Sequence, residues 1–287
     1  MTVVRTIAEC RVERAKLGNL ALVPTMGALH RGHLSLVEYA KNSAPYTAVS
    51  IFVNPTQFGP REDFHKYPRP LEADLAKCRE MGVDLVFNPS VEEMYPPQLS
   101  PMVIDLPHLT EVLEGKHRPG HFKGVCQVVA KLFNIVQPQM ALFGQKDFQQ
   151  LRVLTAMVEA LDWPIEVIGC ETIREQDGLA MSSRNQYLSL DERERALAIS
   201  RALLLANGEV KEGERRANRL LASIQNTLLE VGQLGRVPVS IDYIAAVDPI
   251  TLKHVNMITG PTVLAIAVRV GNTRLIDNIV VTPTGTS

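Results

Sequence analysis

The sequence predicts an α/β fold, with a parallel-sheet domain over residues 1–172 followed by a smaller α+β domain over 173–287. Three observations carry that reading. Short apolar runs alternate with amphipathic helical patterns from Asn19 to Ile168, the rhythm of a parallel sheet with right-handed crossovers. After about Thr172 the rhythm changes to two long helical stretches and then to strand-like runs. The last two runs are joined by Gly271-Asn272-Thr273-Arg274, which reads as a hairpin turn.

Taken in order, Asn19–Val23 is a short strand that meets the turn Pro24-Thr25-Met26-Gly27. A helix begins near His33 and places Leu34, Leu36, Val37 and Ala40 on one face. Thr47–Val53 is almost continuously apolar, as suits a strand covered on both faces, and the loop Asn54–Pro60 follows. Leu71–Met81 is an amphipathic helix with Leu71, Leu75 and Cys78 on one side, ended by Gly82. Then come a strand at Val83–Phe87, an apolar helix at Gly124–Val136 that stops before Pro138, and a strand at Met140–Phe143. A helix at Asp147–Leu161 and a strand at Ile165–Ile168 complete the first domain. In the second, Asp191 is expected to cap a helix reaching about Asn207, with Glu192 and Glu194 in its first turn. A second helix covers about Arg215–Val231, followed by strands at Val239–Val247, Thr262–Val270 and Leu275–Val281 and a small polar tail, Pro283–Ser287.

Bulk properties narrow the function. Hydrophobic residues make up 46 % and charged residues 21 %, a globular composition. The net charge is −1, from 30 basic and 31 acidic residues, so there is no broad electrostatic footprint for nucleic acid or an anionic membrane. Any anionic ligand must be held by a local site. Met1–Arg14 has charges throughout and no apolar core, unlike a signal peptide, and the uncharged stretch Asn42–Pro60 holds three prolines and is rejected as a membrane span. Cys10, Cys78, Cys126 and Cys170 are scattered and form no CxxC pair, so they read as buried or half-buried thiols in a reducing cytosol.

The strongest chemical signal is Pro24-Thr25-Met26-Gly27-Ala28-Leu29-His30-Arg31-Gly32-His33, between a strand and a helix. Ligands of α/β folds bind at the carboxyl ends of strands. Histidines three apart on a first helical turn share a face, the helix start offers N–H groups and partial positive charge, and Gly32 admits a phosphate close to the backbone. Together these make a triphosphate cradle. A metal pair is discounted, because no third His or Cys is placed to complete a site.

Phe143-Gly144-Gln145-Lys146-Asp147-Phe148-Gln149-Gln150 also follows a strand and opens a helix. Lys146 beside a helix N-terminus is unfavourable unless an anion is there, whereas Asp147 suits either an N-cap or Mg²⁺ held through water. Met181-Ser182-Ser183-Arg184-Asn185 offers two hydroxyls and a guanidinium to phosphate oxygens. Gln57 and Gln150 are neutral amides able to orient a hydroxyl or carboxylate of a substrate. Gly115–Gly124 is a basic, glycine-rich loop that is either an anion clamp, with Arg118 as the contact, or a solvated turn. No Cys or Ser nucleophile stands beside a base, so a covalent enzyme intermediate is not indicated.

These segments, with Phe52-Val53-Asn54-Pro55-Thr56-Gln57-Phe58 and Arg118-Pro119-Gly120-His121-Phe122, resemble the pantothenate synthetases, or pantoate–β-alanine ligases, in order over nearly the whole chain. The HxGH element alone resembles only the wider nucleotidyltransferase superfamily. The resemblance implies a Rossmann-like first domain, a homodimer in the cytoplasm, and ATP with Mg²⁺ as cofactors. Its reaction makes pantothenate from pantoate and β-alanine through an enzyme-bound pantoyl adenylate, releasing AMP and pyrophosphate.

Carried over by position, Met26, Gly27, Ala28, Leu29, His30, Arg31, Gly32 and His33 bind ATP, with His33 as proton donor and His30 and Lys146 beside it in catalysis. Gly144, Gln145, Lys146, Asp147, Met181, Ser182, Ser183 and Arg184 complete the nucleotide site, and Ile173 lines the adenine. Gln57 meets pantoate and β-alanine, Gln150 meets pantoate, and Pro24, Thr25 and Arg118 join the substrate side. Many members carry Glu where this chain has Gln145, a side chain expected to point away from ATP. The labile adenylate calls for a closing loop, and the segment near Arg118 is the candidate. Two rivals remain open at this point: another HxGH nucleotidyltransferase acting on a phosphorylated substrate, and a nucleotide-binding module without catalysis.

Overall fold

The structure, a computed structural model, describes residues 1–60, 62–100, 102–233 and 237–283. Of the expected polar tail, everything after Pro283 lies outside the described residues. Two compact units emerge. One comprises Met1–Glu111, Arg118–Gln145 and Gln150–Glu171, and the other Val112–His117, Lys146–Gln149 and Thr172–Ser287.

The first unit is built on six parallel strands: β1 (Thr2–Val4), β2 (Leu20–Thr25), β3 (Tyr46–Ile51), β4 (Leu85–Phe87), β5 (Met140–Gly144) and β6 (Glu166–Cys170). Their order is β1-β4-β3-β2-β5-β6. The chain runs outward from β2 in one direction, then returns to add β5 and β6 on the other side of it. The strand order thus reverses between β2 and β5, the place where an open α/β sheet binds its ligand. Period-two alternation explains why β2 is buried on both faces. Ala21 and Val23 pack into a core shared with Leu36, Val37 and Ala40 of the helix Arg31–Ser43 and Leu75 and Cys78 of the helix Leu71–Glu80. Leu20 and Leu22 point the opposite way, and both are fully buried. The helix His121–Val136 also contacts β2, and nearly all of its residues are buried.

The second unit carries an antiparallel sheet, β7 (Val239–Val247), β8 (Thr262–Val270) and β9 (Thr273–Val281), in that order. The helices Leu190–Lys211 and Ala217–Gln233 pack on it through Ala196, Ile199, Leu203, Leu220, Ile224, Leu264, Ile266 and Val268. The short helix Leu113–His117 belongs to this unit and is tied to it by a part-buried ion pair. Arg274 grips Glu114 with both guanidinium nitrogens, at 2.6 and 2.8 Å, and donates through Nε to Asp242 at 2.6 Å. Gln149 accepts from the Glu114 N–H at 2.9 Å and donates to the Val112 carbonyl at 2.8 Å.

Several boundaries differ from the sequence reading, each for a local reason. The helix expected from near His33 starts at Arg31, because His30 caps it. The helix expected from Gly124 starts at His121, because Gly120 takes a φ of 83° just before it. The basic stretch read as a loop is therefore largely helical on both sides of Arg118. Asp147 ends a 3-10 turn, Gln145–Asp147, and the helix proper begins at Phe148. Asp191 is not the cap of the long helix. Ser189 is, its Oγ accepting from Glu192 N at 3.2 Å while the Glu192 carboxylate accepts from Ser189 N at 2.8 Å. The sequence Ser189-Leu190-Asp191-Glu192 is a capping box, and that reciprocal pair wins over a lone Asp. The hairpin between β8 and β9 turns on two residues, Gly271 and Asn272, since Val270 already pairs with Thr273.

Loss of that cap leaves the long helix with an unsatisfied first turn. Ser189→Ala is expected to lower unfolding stability by about 1 kcal/mol. A denaturant midpoint equal to that of the parent protein would show that the box contributes nothing.

Candidate active site

In the first unit the site begins where β2 ends. Pro24 and Thr25 are its last two residues, and Thr25 Oγ1 donates to the Ser50 carbonyl of β3 at 2.8 Å while accepting from Gly27 N at 3.1 Å. Two residues in the left-handed region then follow, Gly27 at φ 81° and Ala28 at φ 49°. Only glycine adopts such a conformation without strain, so an alanine there must be held. Asp74 holds it. Its carboxylate accepts from Ala28 N at 2.8 Å and from Leu29 N at 2.7 Å, and the side chain is buried. Lys77, one turn on, donates to the Leu29 carbonyl at 2.5 Å. Leu29 itself turns its side chain into the core, so its part is to shape the loop.

The next residues form an unusual capping box. His30 Nδ1 accepts from Gly32 N at 3.2 Å, and His33 Nδ1 accepts from His30 N at a long 3.4 Å. The rings stack with centroids 4.0 Å apart. An Nδ1 that accepts carries no proton, so the neutral ring bears its proton on Nε2. Backbone and ring together make each Nε2 the donor atom of its histidine. Arg31 is the exposed first residue of the helix, and Met26 sits half-buried before the turn.

Beyond β3 the chain makes a 3-10 turn, Pro55–Gln57, capped by Asn54. Gln57 is buried, its Oε1 accepting from Asn54 Nδ2 at 3.0 Å and its Nε2 lying 3.3 Å from Met26 Sδ. Asn54 is a hub that the sequence reading left without a role. It also donates to the Gly124 carbonyl at 3.1 Å and accepts from Thr56 Oγ1 at 2.9 Å and Tyr95 Oη at 2.8 Å. Gly124 is obligatory here, since a Cβ on it would fall 2.2 Å from the Thr56 carbonyl oxygen. Arg118 was expected as an anion contact and already carries an anion, with Nε and Nη2 each 2.7 Å from the Glu62 carboxylate. Burial alone would raise the Glu62 carboxyl, but the hydrogen bonds and charge of Arg118 outweigh it and hold the group below its ordinary value. His121 lies 3.0 Å from Arg118 Nη1 and 2.8 Å from the Gln57 carbonyl, so Arg118 and His121 together brace the Gln57 main chain.

Gly144 closes β5, and Gln145 Nε2 donates to the Gly169 carbonyl of β6 at 3.2 Å. Gln150 is a half-buried residue in the first turn of the helix Phe148–Ala160.

The second unit holds the other predicted residues. Ile173 accepts from Met181 N at 2.9 Å across a narrow hairpin that turns at Gly178. Ser182 caps the 3-10 turn Ser183–Tyr187, its Oγ accepting from Arg184 N at 3.3 Å. Asn185 pins that turn by donating to Glu175 at 2.6 Å and to the Ala180 carbonyl at 3.0 Å. Lys146 and Ser182 line one small cavity with Asn185 and Asp277, while Asp147 is exposed. Burial pushes the thiol of Cys126 up to about 12 and those of Cys10 and Cys78 to about 11, so none of these three is a poised nucleophile. Among the described residues, no three His, Cys, Asp or Glu side chains gather as a metal site, and no helix is long and apolar enough to cross a membrane.

The family model for pantoate–β-alanine ligase matches residues 2–280. The chain belongs to the pantoate–β-alanine ligase family. It is 49 % identical to the pantothenate synthetase of Acetivibrio thermocellus over 285 residues, covering 98 % of this chain and 99 % of the relative. The crystal structure of pantothenate synthetase from Thermus thermophilus is similar at 46 % identity with a TM-score of 0.93, over 99 % of this chain and 100 % of that one. A pantoate–β-alanine ligase from Francisella tularensis, complexed with β-γ ATP and β-alanine, is similar at 33 % identity with a TM-score of 0.79, over 98 % and 97 % of the two chains. Family membership makes the six-strand parallel sheet with its small antiparallel partner the fold expected of such ligases.

Asp74 is the residue on which this loop rests. Asp74→Ala is expected to cost about 1–3 kcal/mol for each of the two N–H groups it strands. Chemical denaturation measures the loss, and a change within about 0.5 kcal/mol, typical of a surface position, would contradict the assigned role.

Proposed function

We propose that this chain joins pantoate to β-alanine with ATP, by way of an enzyme-bound pantoyl adenylate. The observation that carries the reading is the histidine pair capping a helix at the carboxyl end of β2, beside the reversal of strand order, in a chain matched to the ligase family over residues 2–280. In the first step a pantoate carboxylate oxygen attacks the α-phosphorus of ATP. A new O–P bond forms, the bond to the β-phosphoryl group breaks, and pyrophosphate leaves. In the second, the β-alanine amine attacks the carboxyl carbon. A C–N bond forms, the C–O bond to AMP breaks, and the amine gives up a proton.

The residues suit that chemistry by position and charge. Nε2 of His33, with that of His30, donates toward the phosphoryl oxygens on which negative charge builds. Lys146, Ser182, Ser183 and Arg184 are read as further phosphate contacts. Met26–His33 and Gly144–Asp147 form the nucleotide-binding turns, and Ile173 the adenine wall. Gln57, braced through its main chain, offers an amide to pantoate and β-alanine, Gln150 another to pantoate, and Pro24, Thr25 and Arg118 border them. Mg²⁺ accompanies the nucleotide, and the exposed Asp147 carboxylate fits a hard, oxygen-preferring cation that would offset triphosphate charge when bound. The nucleotide and β-alanine in the Francisella relative support both small molecules as ligands. The resemblance extends the proposal to a homodimer in the cytoplasm, with residues 1–172 holding ATP and pantoate.

Pyrophosphate release from ATP tests the reaction. Pantoate alone is expected to give slow or stoichiometric release, and adding β-alanine to give steady turnover. Release only with a phosphorylated acceptor would move the chain to the nucleotidyltransferase reading. His33→Ala is expected to raise the adenylation barrier by roughly 2.7–4 kcal/mol, by analogy with loss of one oxyanion donor. An unchanged adenylation rate in that variant would remove His33 from its role.

A further inference from the structure

Two consecutive side chains of strand β9 reach Lys146 directly and, through Arg174, the turn that precedes Met181–Arg184. Asn278 Nδ2 donates to the main-chain carbonyl of Lys146 at 2.8 Å, and Asn278 is buried. Its own N–H is fixed at 2.8 Å by the carboxylate of Asp277, which Arg174 grips at 2.6 and 3.1 Å. Arg174 Nη1 also donates to the Gly178 carbonyl at 3.2 Å, in the turn that leads to Met181–Arg184. Asp277, Lys146, Ser182 and Asn185 wall a cavity of about 10 Å³, room for one water. Asn185 Oδ1 is buried with no hydrogen-bond partner among the described residues. Nothing in the reaction chemistry calls for these contacts, and the bond from Asn278 anchors the backbone of Lys146.

We propose that Asn278 is a positioning residue for Lys146, fixing the backbone from which the lysine reaches the triphosphate. The inference rests on the reading of Lys146 as a phosphate contact. A lysine has a flexible four-carbon stem, so its charge is well placed only if its Cα is. The carbonyl of Lys146 lies in a three-residue 3-10 turn at the entry to the helix Phe148–Ala160. The Asn278 amide adds a tertiary constraint to that turn, and Asp277, held by Arg174, fixes the Asn278 N–H.

The test is a double-mutant cycle on ATP affinity, read by equilibrium binding, with thermal unfolding as the control for folding. Asn278→Ala removes the amide, and Asn278→Asp keeps the shape while removing the donor. Each is expected to weaken ATP binding roughly tenfold, within the range a misplaced group can cost, while leaving pantoate KM unchanged. In a Lys146→Ala background neither should cause a further loss. Independent, multiplying losses would overturn the positioning role, as would parental ATP affinity in both Asn278 variants. A Lys146→Ala protein with parental ATP affinity would instead overturn the reading of Lys146 itself, and the inference with it.

Discussion

Between the end of β2 and the helix Arg31–Ser43 the chain passes through two left-handed residues and buries two N–H groups that no strand or helix can satisfy. The Asp74 carboxylate accepts both. Buried donors without partners are costly, and the αL alanine adds strain, so the turn persists because a second element holds it. The consequence is positional. With Gly27–Leu29 fixed, His30 falls at the N-cap and His33 one turn later, and the two rings stack with their Nδ1 atoms on the backbone. The geometry at the end of one strand thus depends on a carboxylate from a helix that is remote in sequence. The same logic recurs at Gln57, whose amide is set by Asn54 and whose carbonyl is braced by His121.

Much of the fold is legible in the sequence because its signals are local. The strands at Val239–Val247 and Thr262–Val270 match their expected bounds, since apolar β-formers run between turn residues. The six parallel strands are harder, being short. β1, three residues long, carries no pattern that could announce it. Helix starts fail where the cap is unusual. Histidine is not among the favoured N-caps, yet His30 Nδ1 takes the part usually played by a hydroxyl or carboxylate oxygen. At Ser189 the capping box was present in the sequence and outweighs the neighbouring Asp191.

The site divides the same way. The HxGH, Gly-Gln-Lys-Asp and Met-Ser-Ser-Arg segments are visible because each sits at a junction of elements. Their supports are less so. Asp74 did leave a trace: it lies on the apolar face of its helix with Leu71, Leu75 and Cys78, where a carboxylate must have buried partners. Glu62 on Arg118, Arg274 on Glu114 and Asn278 on Lys146 left none, because each joins residues far apart in sequence and no periodicity encodes them. The sequence reading therefore finds segments at the junctions of elements and misses the distant side chains that hold them in place.

The central claim is that a carboxylate oxygen of pantoate becomes the bridging oxygen of an acyl adenylate. Pantoate labelled with ¹⁸O in its carboxylate tests this in one turnover experiment with ATP, Mg²⁺ and β-alanine, read by mass spectrometry of the products. Cleavage of the adenylate C–O bond by the amine should leave one ¹⁸O in AMP and none in pyrophosphate. Unlabelled AMP, formed alongside the amide product, would contradict the adenylate and with it the role given to the histidine pair.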